Sequence, residues 1–260
     1  MAIIPQISFF DFMNFKDLGD LNTLKMVIEN IPDEKLVMEL EKKRGNGRDD
    51  YPVRAMWNSL LAGIIYRHAN IEGLIEELKR NGQLRYVCGF RKYRILRDKE
   101  GREIRSEPKI PESWNYSRFL SNLMEEQSLI EEMFDVVLNT ISNLLPGFGK
   151  VLAVDGKAIS SYATGENKNT KPDGRRDTDA NIGIKKYYGE NEDGSKWEKI
   201  VKWFGYKLHL IVDATYELPV AFSVTKASAA ELPEAKKLIE NLEEKHKDLL
   251  DKKCEYFLEV

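Results

Sequence analysis

Hydrophobic positions divide the chain into two patterns. Up to about residue 145 they recur every three or four residues. Val53, Met56, Trp57, Leu60, Leu61, Ile64 and Ile65 share one face of a helix that Pro52 opens. Ile71, Leu74, Ile75 and Leu78 continue the spacing in a second helix. Phe119, Leu120 and Leu123 mark a third over Ser113–Met124, and a fourth runs from about Ile130 to Leu145 before "PGFG" stops it. Earlier, 21–31 and 33–43 read as a shorter helical pair joined by Pro32.

After residue 150 the pattern changes to short apolar runs. "VLAV" at 151–154, "WFGYKLHLIVD" at 203–213, "LPVAFSVT" at 218–225 and "CEYFLEV" at 254–260 read as strands. "ELPEAKKLIENLEEKHK" at 231–247 reads as a helix, with Leu232, Ala235, Leu238, Ile239 and Leu242 on one face. Three strands, a helix and a strand predict an antiparallel meander and a crossover that returns the fourth strand parallel to the first. The fold class is therefore α/β behind an all-α N-terminal domain. The domains expected are 1–145 and 150–260, with 163–202 as a polar, aperiodic loop or flap inside the second.

Asp155 and Gly156 follow the first strand. Asp-Gly is a common turn pair, since both residues tolerate positive φ. The other reading makes Asp155 a metal ligand at the carboxyl end of a central strand. Asp213 reads as the opening of a tight hairpin, and His209 as a core residue within its strand.

Composition narrows the classes. The formal net charge of −3 leaves a nucleic-acid partner open, because local patches decide that. Two cysteines, Cys88 and Cys254, sit in apolar surroundings and fit a reducing compartment. No stretch has the length to span a bilayer and no secretory leader is recognisable, so a cytoplasmic protein is expected. Three histidines and two separated cysteines argue against zinc, and no Gly-rich phosphate loop is present. Between Lys79 and Lys109 basic residues outnumber acidic ones, and Arg91, Lys92, Arg94 and Arg97 interleave with Phe90, Tyr93 and Ile95. That stretch suits a phosphate-tracking surface or a solvated mixed-charge loop. Arg175–Arg176 and Lys185–Lys186 are further basic pairs in a charge-balanced segment.

"VLAVDGKAI", "RRDTDANIG" and "FGYKLHLIVDATYELPVAFSVT", in that order, resemble insertion-sequence transposases of the DDE type. "YPVRAMWNSLLAGIIYRHANIEGLIEELKRNGQLRYVCGF" and "PESWNYSRFLSNL" are similar to the N-terminal domain of that group. The resemblance implies an RNase H-like core in which three carboxylates bind two divalent ions, Mg²⁺ or Mn²⁺. Asp155 matches the first carboxylate. The second would follow the strand that begins at Cys254, and the glutamate lies further on, so the core is expected to be incomplete within 260 residues and the chain an inactive fragment. The implied partners are double-stranded DNA, as terminal inverted repeats and target, and a second copy in a homodimer. The DNA contacts expected are Arg91, Lys92, Arg94, Arg97, Arg175, Arg176, Lys185 and Lys186. The alternative is a non-catalytic DNA-binding product that regulates transposition.

Overall fold

The computed structural model describes residues 19–45, 51–163, 177–247, 249 and 256–259. Two compact units form, Met1–Val137 and Leu138–Val260.

In the first unit the periodic segments are helices: α1 (Leu21–Asn30), α2 (Glu34–Arg44), α3 (Val53–Ile65), α4 (Ile71–Arg80), α5 (Gly82–Cys88), α6 (Ser113–Met124) and α7 (Gln127–Leu144), the last crossing into the second unit. Their apolar stripes meet in one core around Leu24, Leu36, Ala62, Leu74, Leu78 and Tyr116, each almost fully buried. Local chemistry sets the ends. Asn70 accepts from the Gly73 N–H (2.8 Å) to cap α4, and Asn81 accepts from the Leu84 N–H (3.0 Å) to cap α5. Glu112 and Asn115 form a reciprocal capping box on α6. Two buried polar contacts run through the core. The Asp33 carboxylate pairs with Arg54 and accepts the Trp57 indole N–H (2.6 Å), and the Ser59 and Tyr116 hydroxyls lie 2.7 Å apart.

This unit is not all-helical. Strands β1 (Tyr93–Arg97) and β2 (Glu103–Pro108) form an antiparallel hairpin, with Tyr93 opposite Pro108 and Arg94 opposite Glu107. The expectation of a purely helical domain fails here for two local reasons. Tyr93–Arg97 is rich in aromatic and branched residues that suit a strand, and the "DKEG" turn closes with Gly101 in the left-handed region (φ +80°).

The second unit has strands β3 (Val151–Ser160), β4 (Asn181–Glu190), β5 (Lys196–Asp213), β6 (Leu218–Lys226) and β7 (Tyr256–Glu259), with α8 (Glu231–Lys245) between the last two. β3 pairs antiparallel with β5, and β5 with β6. β7 pairs with β3 in parallel, Val151 opposite Tyr256 and Val154 opposite Glu259. The meander and the parallel return follow the strand order expected from the sequence.

Two expectations change. Asp155–Gly156 does not end β3. Asp155 pairs with Leu210 and Gly156 with His209, and the strand runs on to Ser160 because β5 extends far enough to satisfy its backbone groups. The segment 163–202 is not one aperiodic loop. Among its described residues, 181–190 and 196–202 form a two-stranded ribbon of β4 with the outer half of β5.

Candidate functional site

Asp155 lies inside β3, flanked by antiparallel β5 on one side and, one residue earlier, by parallel β7 on the other. Its side chain is exposed, and one carboxylate oxygen accepts the Gly156 N–H at 2.7 Å. Successive strand residues face opposite sides. Asp155 therefore shares a side with its partner Leu210, while Gly156 shares the other with His209.

That other side is covered by α8. A Cβ on Gly156 would stand 3.1 Å from a Glu231 carboxylate oxygen, so a side chain beside Asp155 would press on Glu231. The Lys207 ammonium lies 3.3 Å from the Glu231 carboxylate and donates to the Ala229 carbonyl at 2.9 Å. His209 is 2% exposed and bonds Thr225 Oγ1 at 2.9 Å. Burial, then the nearby Lys207 charge, holds the imidazole below its ordinary pKa. Nothing in the sequence connects Lys207, Glu231 and Thr225 in advance. The one local signal is a glycine directly after a strand aspartate.

Asp213 is the opposite of Asp155. It is fully buried, and its carboxylate accepts the N–H groups of Gly149 (2.7 Å), Thr215 (2.9 Å) and Tyr216 (2.8 Å). It opens the β5–β6 turn, as its sequence context predicts, and ties the loop before β3 to it.

Among the described residues no group of three His, Cys, Asp or Glu could hold a metal ion. Asp155 offers one carboxylate, and two ions that must sit about 3.5–4 Å apart require several such ligands. The described residues do not by themselves house a pair of ions.

The basic candidates are dispersed. On the β1–β2 hairpin Arg94 faces Glu107 (3.5 Å) and Arg97 binds Glu103 (3.0 Å). Arg102 binds Asp98 and Glu100 at the tip. Arg91 stacks its guanidinium 4.6 Å from the Tyr86 ring centre. With Arg80, Arg85 and Tyr93 it lines an open cleft of about 900 Å³. Arg94, with Lys79 and Lys109, lines a separate cleft of about 620 Å³. Arg85 is already engaged in closing α4, donating to the Leu78 and Lys79 carbonyls at 2.7 and 2.8 Å. Lys92, like Arg91, is exposed. On the ribbon Lys186 binds Glu198 (2.9 Å), which raises the lysine pKa, and Lys185 lies 5.6 Å from the Tyr187 ring centre. Arg175 and Arg176 lie outside the described residues.

A helical unit with an ion-paired hairpin, followed by a sheet unit with an exposed strand aspartate, defines a two-part protein with a candidate carboxylate site. Two family models match these parts in order. A "Transposase domain (DUF772)" model matches residues 13–96, and a "Transposase DDE domain" model matches residues 146–252. No curated protein and no solved structure matches the chain. Both matches are to transposase domains, and their order supports an insertion-sequence transposase of the DDE type, a family that generally uses divalent metal ions. No helix among the described residues is long and apolar enough to cross a membrane.

Proposed function

We propose that the chain binds the terminal inverted repeats of an insertion sequence, and that its second unit belongs to an RNase H-like core for cutting and joining DNA by phosphoryl transfer assisted by Mg²⁺ or Mn²⁺. The observation that carries this reading is the position of Asp155. It is an exposed carboxylate on a central strand, paired with Leu210 of β5 on one side and directly following Val154, which pairs with the parallel strand β7 on the other. A ligand for a metal needs that rigidity. A turn aspartate would not need a continuous strand around it.

In this reading Asp155 supplies one metal ligand and the remaining carboxylates come from outside the described residues. The helical N-terminal part supplies DNA affinity. Arg91, Lys92, Arg94 and Arg97 meet phosphates, helped by Lys185, Lys186, Arg175 and Arg176. The ion pairs of Arg94, Arg97 and Lys186 do not oppose this. Exposed pairs of this kind are weak and screened by solvent, so a phosphate can replace the glutamate at small cost.

Three measurements test the reading. The first is binding of an end-containing duplex across a salt series. Replacing Arg91, Lys92, Arg94 and Arg97 by Ala should weaken binding and reduce the salt slope by roughly 0.9 for each phosphate that the variant no longer neutralises. An unchanged slope would remove these residues from the interface. The second is Mn²⁺ binding followed by electron paramagnetic resonance. Weak binding that disappears in Asp155→Ala supports the ligand role, and equal binding by the variant refutes it. DNA nicking by residues 1–260 with Mn²⁺, unaffected by Asp155→Ala, would place the catalytic set elsewhere. End binding with no Mn²⁺ bound at Asp155 would favour the non-catalytic, regulatory alternative.

A further inference from the structure

Counted along the chain, the charges of the β4–β5 ribbon nearly cancel. Counted by face they do not. Cross-strand pairing places Gly183 with Trp203, Lys185 with Val201, Tyr187 with Lys199, and Gly189 with Trp197 on one side. Glu190 and Glu198 fall on the other side, where Glu198 takes Lys186. The first side therefore carries two lysines, three aromatic rings and no carboxylate between Asn181 and Gly205, outside the turn 191–195.

The glycines explain how the rings are held. A Cβ at Gly183 would overlap the Trp203 ring, and one at Gly189 would overlap the Trp197 ring. Each indole lies against the bare backbone of the opposite strand, an arrangement that fixes the ring and closes the gap left by the glycine. Trp203 is engaged further: its N–H donates to the Tyr206 carbonyl (2.9 Å), and Lys207 lies 5.9 Å from its ring centre. It anchors the base of the ribbon. Trp197 and Tyr187, farther out, remain 42% and 43% exposed. As diagonal neighbours across the pair they are about 7–8 Å apart. Lys199 sits opposite Tyr187, and Lys185 lies over its ring. Aromatic faces fixed in advance beside ammonium groups, with no competing carboxylate, match the chemistry of a single nucleic-acid strand. Bases stack on the rings and phosphates meet the lysines. A base pair inside a duplex hides its π-faces and could use only the lysines.

We propose that this face of the ribbon binds single-stranded DNA, with unpaired bases stacking on Tyr187 and Trp197 and phosphates on Lys185 and Lys199. The proposal rests on the DNA-binding reading above only in taking DNA as the ligand. The test is titration of the 260-residue chain with oligo(dT), followed by tryptophan emission and by anisotropy of a labelled strand, beside an end-containing duplex. Oligo(dT) should bind and quench emission, and Trp197→Phe should remove most of the quenching. Tyr187→Ala should weaken oligo(dT) binding by about 5- to 150-fold, the range for removal of one base stack, while leaving duplex binding and the unfolding temperature unchanged. Lys185→Gln with Lys199→Gln should lower the salt slope for oligo(dT).

Oligo(dT) binding at wild-type strength by Tyr187→Ala overturns the proposal, as does an equal loss for duplex and single strand. Duplex-end binding without any oligo(dT) binding sinks the ribbon proposal and leaves the broader reading standing. Binding to neither would take both down. Trp197 emission that changes with protein concentration, without DNA, would assign the face to a second copy of the chain and would also overturn the proposal.

Discussion

Replacing Asp213 by Ala tests whether this acid is structural. Its carboxylate is fully buried and takes three backbone N–H groups, from Gly149, Thr215 and Tyr216. The Gly149 bond is buried, and a bond to a charged acceptor is worth about 1.5–3 kcal/mol. The two turn bonds are partly exposed and add about 1 kcal/mol each. Alanine restores none of them, so the expected loss is about 3–5 kcal/mol, a large share of the 5–15 kcal/mol that a domain typically has. Asp213→Asn gives a graded control. Its amide oxygen can still accept from Thr215 and Tyr216, but its NH₂ would confront the Gly149 N–H. Only the Gly149 bond then disappears, at a cost of about 1.5–3 kcal/mol. Urea unfolding followed by circular dichroism measures both. A loss under about 1 kcal/mol for Asp213→Ala, or Asn worse than Ala, would refute the reasoning. Mn²⁺ bound less tightly by natively folded Asp213→Asn would show that this acid, rather than Asp155, serves the metal.

Asp33→Ala should cost about 2–4 kcal/mol in equilibrium unfolding, because it leaves the nearly buried Arg54 guanidinium with only its exposed partner Glu34 and the Trp57 N–H without its acceptor. The Cys88 thiol, pushed up to about 12 by burial, should resist alkylation in the native protein and react only on unfolding. Mass spectrometry on a Cys254→Ser background would show this, and rapid native labelling would contradict it. His209 has a lowered pKa in the fold, so the unfolded chain takes up its proton first. Stability should therefore be intact above about pH 6.5 and fall as pH drops through the lowered folded value, and His209→Gln should flatten that part of a melting-temperature profile.

The strand order of the second unit is legible because buried strands and an amphipathic helix leave unmistakable patterns. "VLAV" and "LHLIVD" carry the buried centre of the sheet, at Leu152, Ala153, His209, Ile211 and Asp213, and "LPVAFSVT" adds the buried Val220 beside them. The two hairpins are harder to see for one shared reason. Tyr93–Arg97 and Lys196–Lys202 are exposed on both faces, so no buried side enforces a clear alternation of apolar and polar residues. What holds them is cross-strand: ion pairs at Arg94–Glu107 and Arg97–Glu103, and indoles over glycines at Gly183 and Gly189. Partners so far apart in sequence cannot be matched before the register is known. The same limit hides the neutralisation of the basic stretch, since Arg94 and Glu107 meet only through the hairpin.

Asp155 and Asp213 show what a single sequence leaves ambiguous about an acid at a strand. Both follow an apolar run and both precede a small residue. The turn chemistry that Asp-Gly suggests at 155 belongs instead to Asp213, whose oxygens are occupied by three N–H groups. Asp155 accepts the adjacent Gly156 N–H and is exposed, on a strand paired on both edges. A saturated carboxylate stabilises the fold and has little capacity left for an ion. An exposed one contributes little to stability and can be kept for chemistry. The order of strands sets this division. The β5–β6 turn needs an acid to close it, so Asp213 is committed there. Along the paired stretch of β3 and β5, the central position that points away from α8, beside the parallel return, is left to Asp155 alone among the described acids.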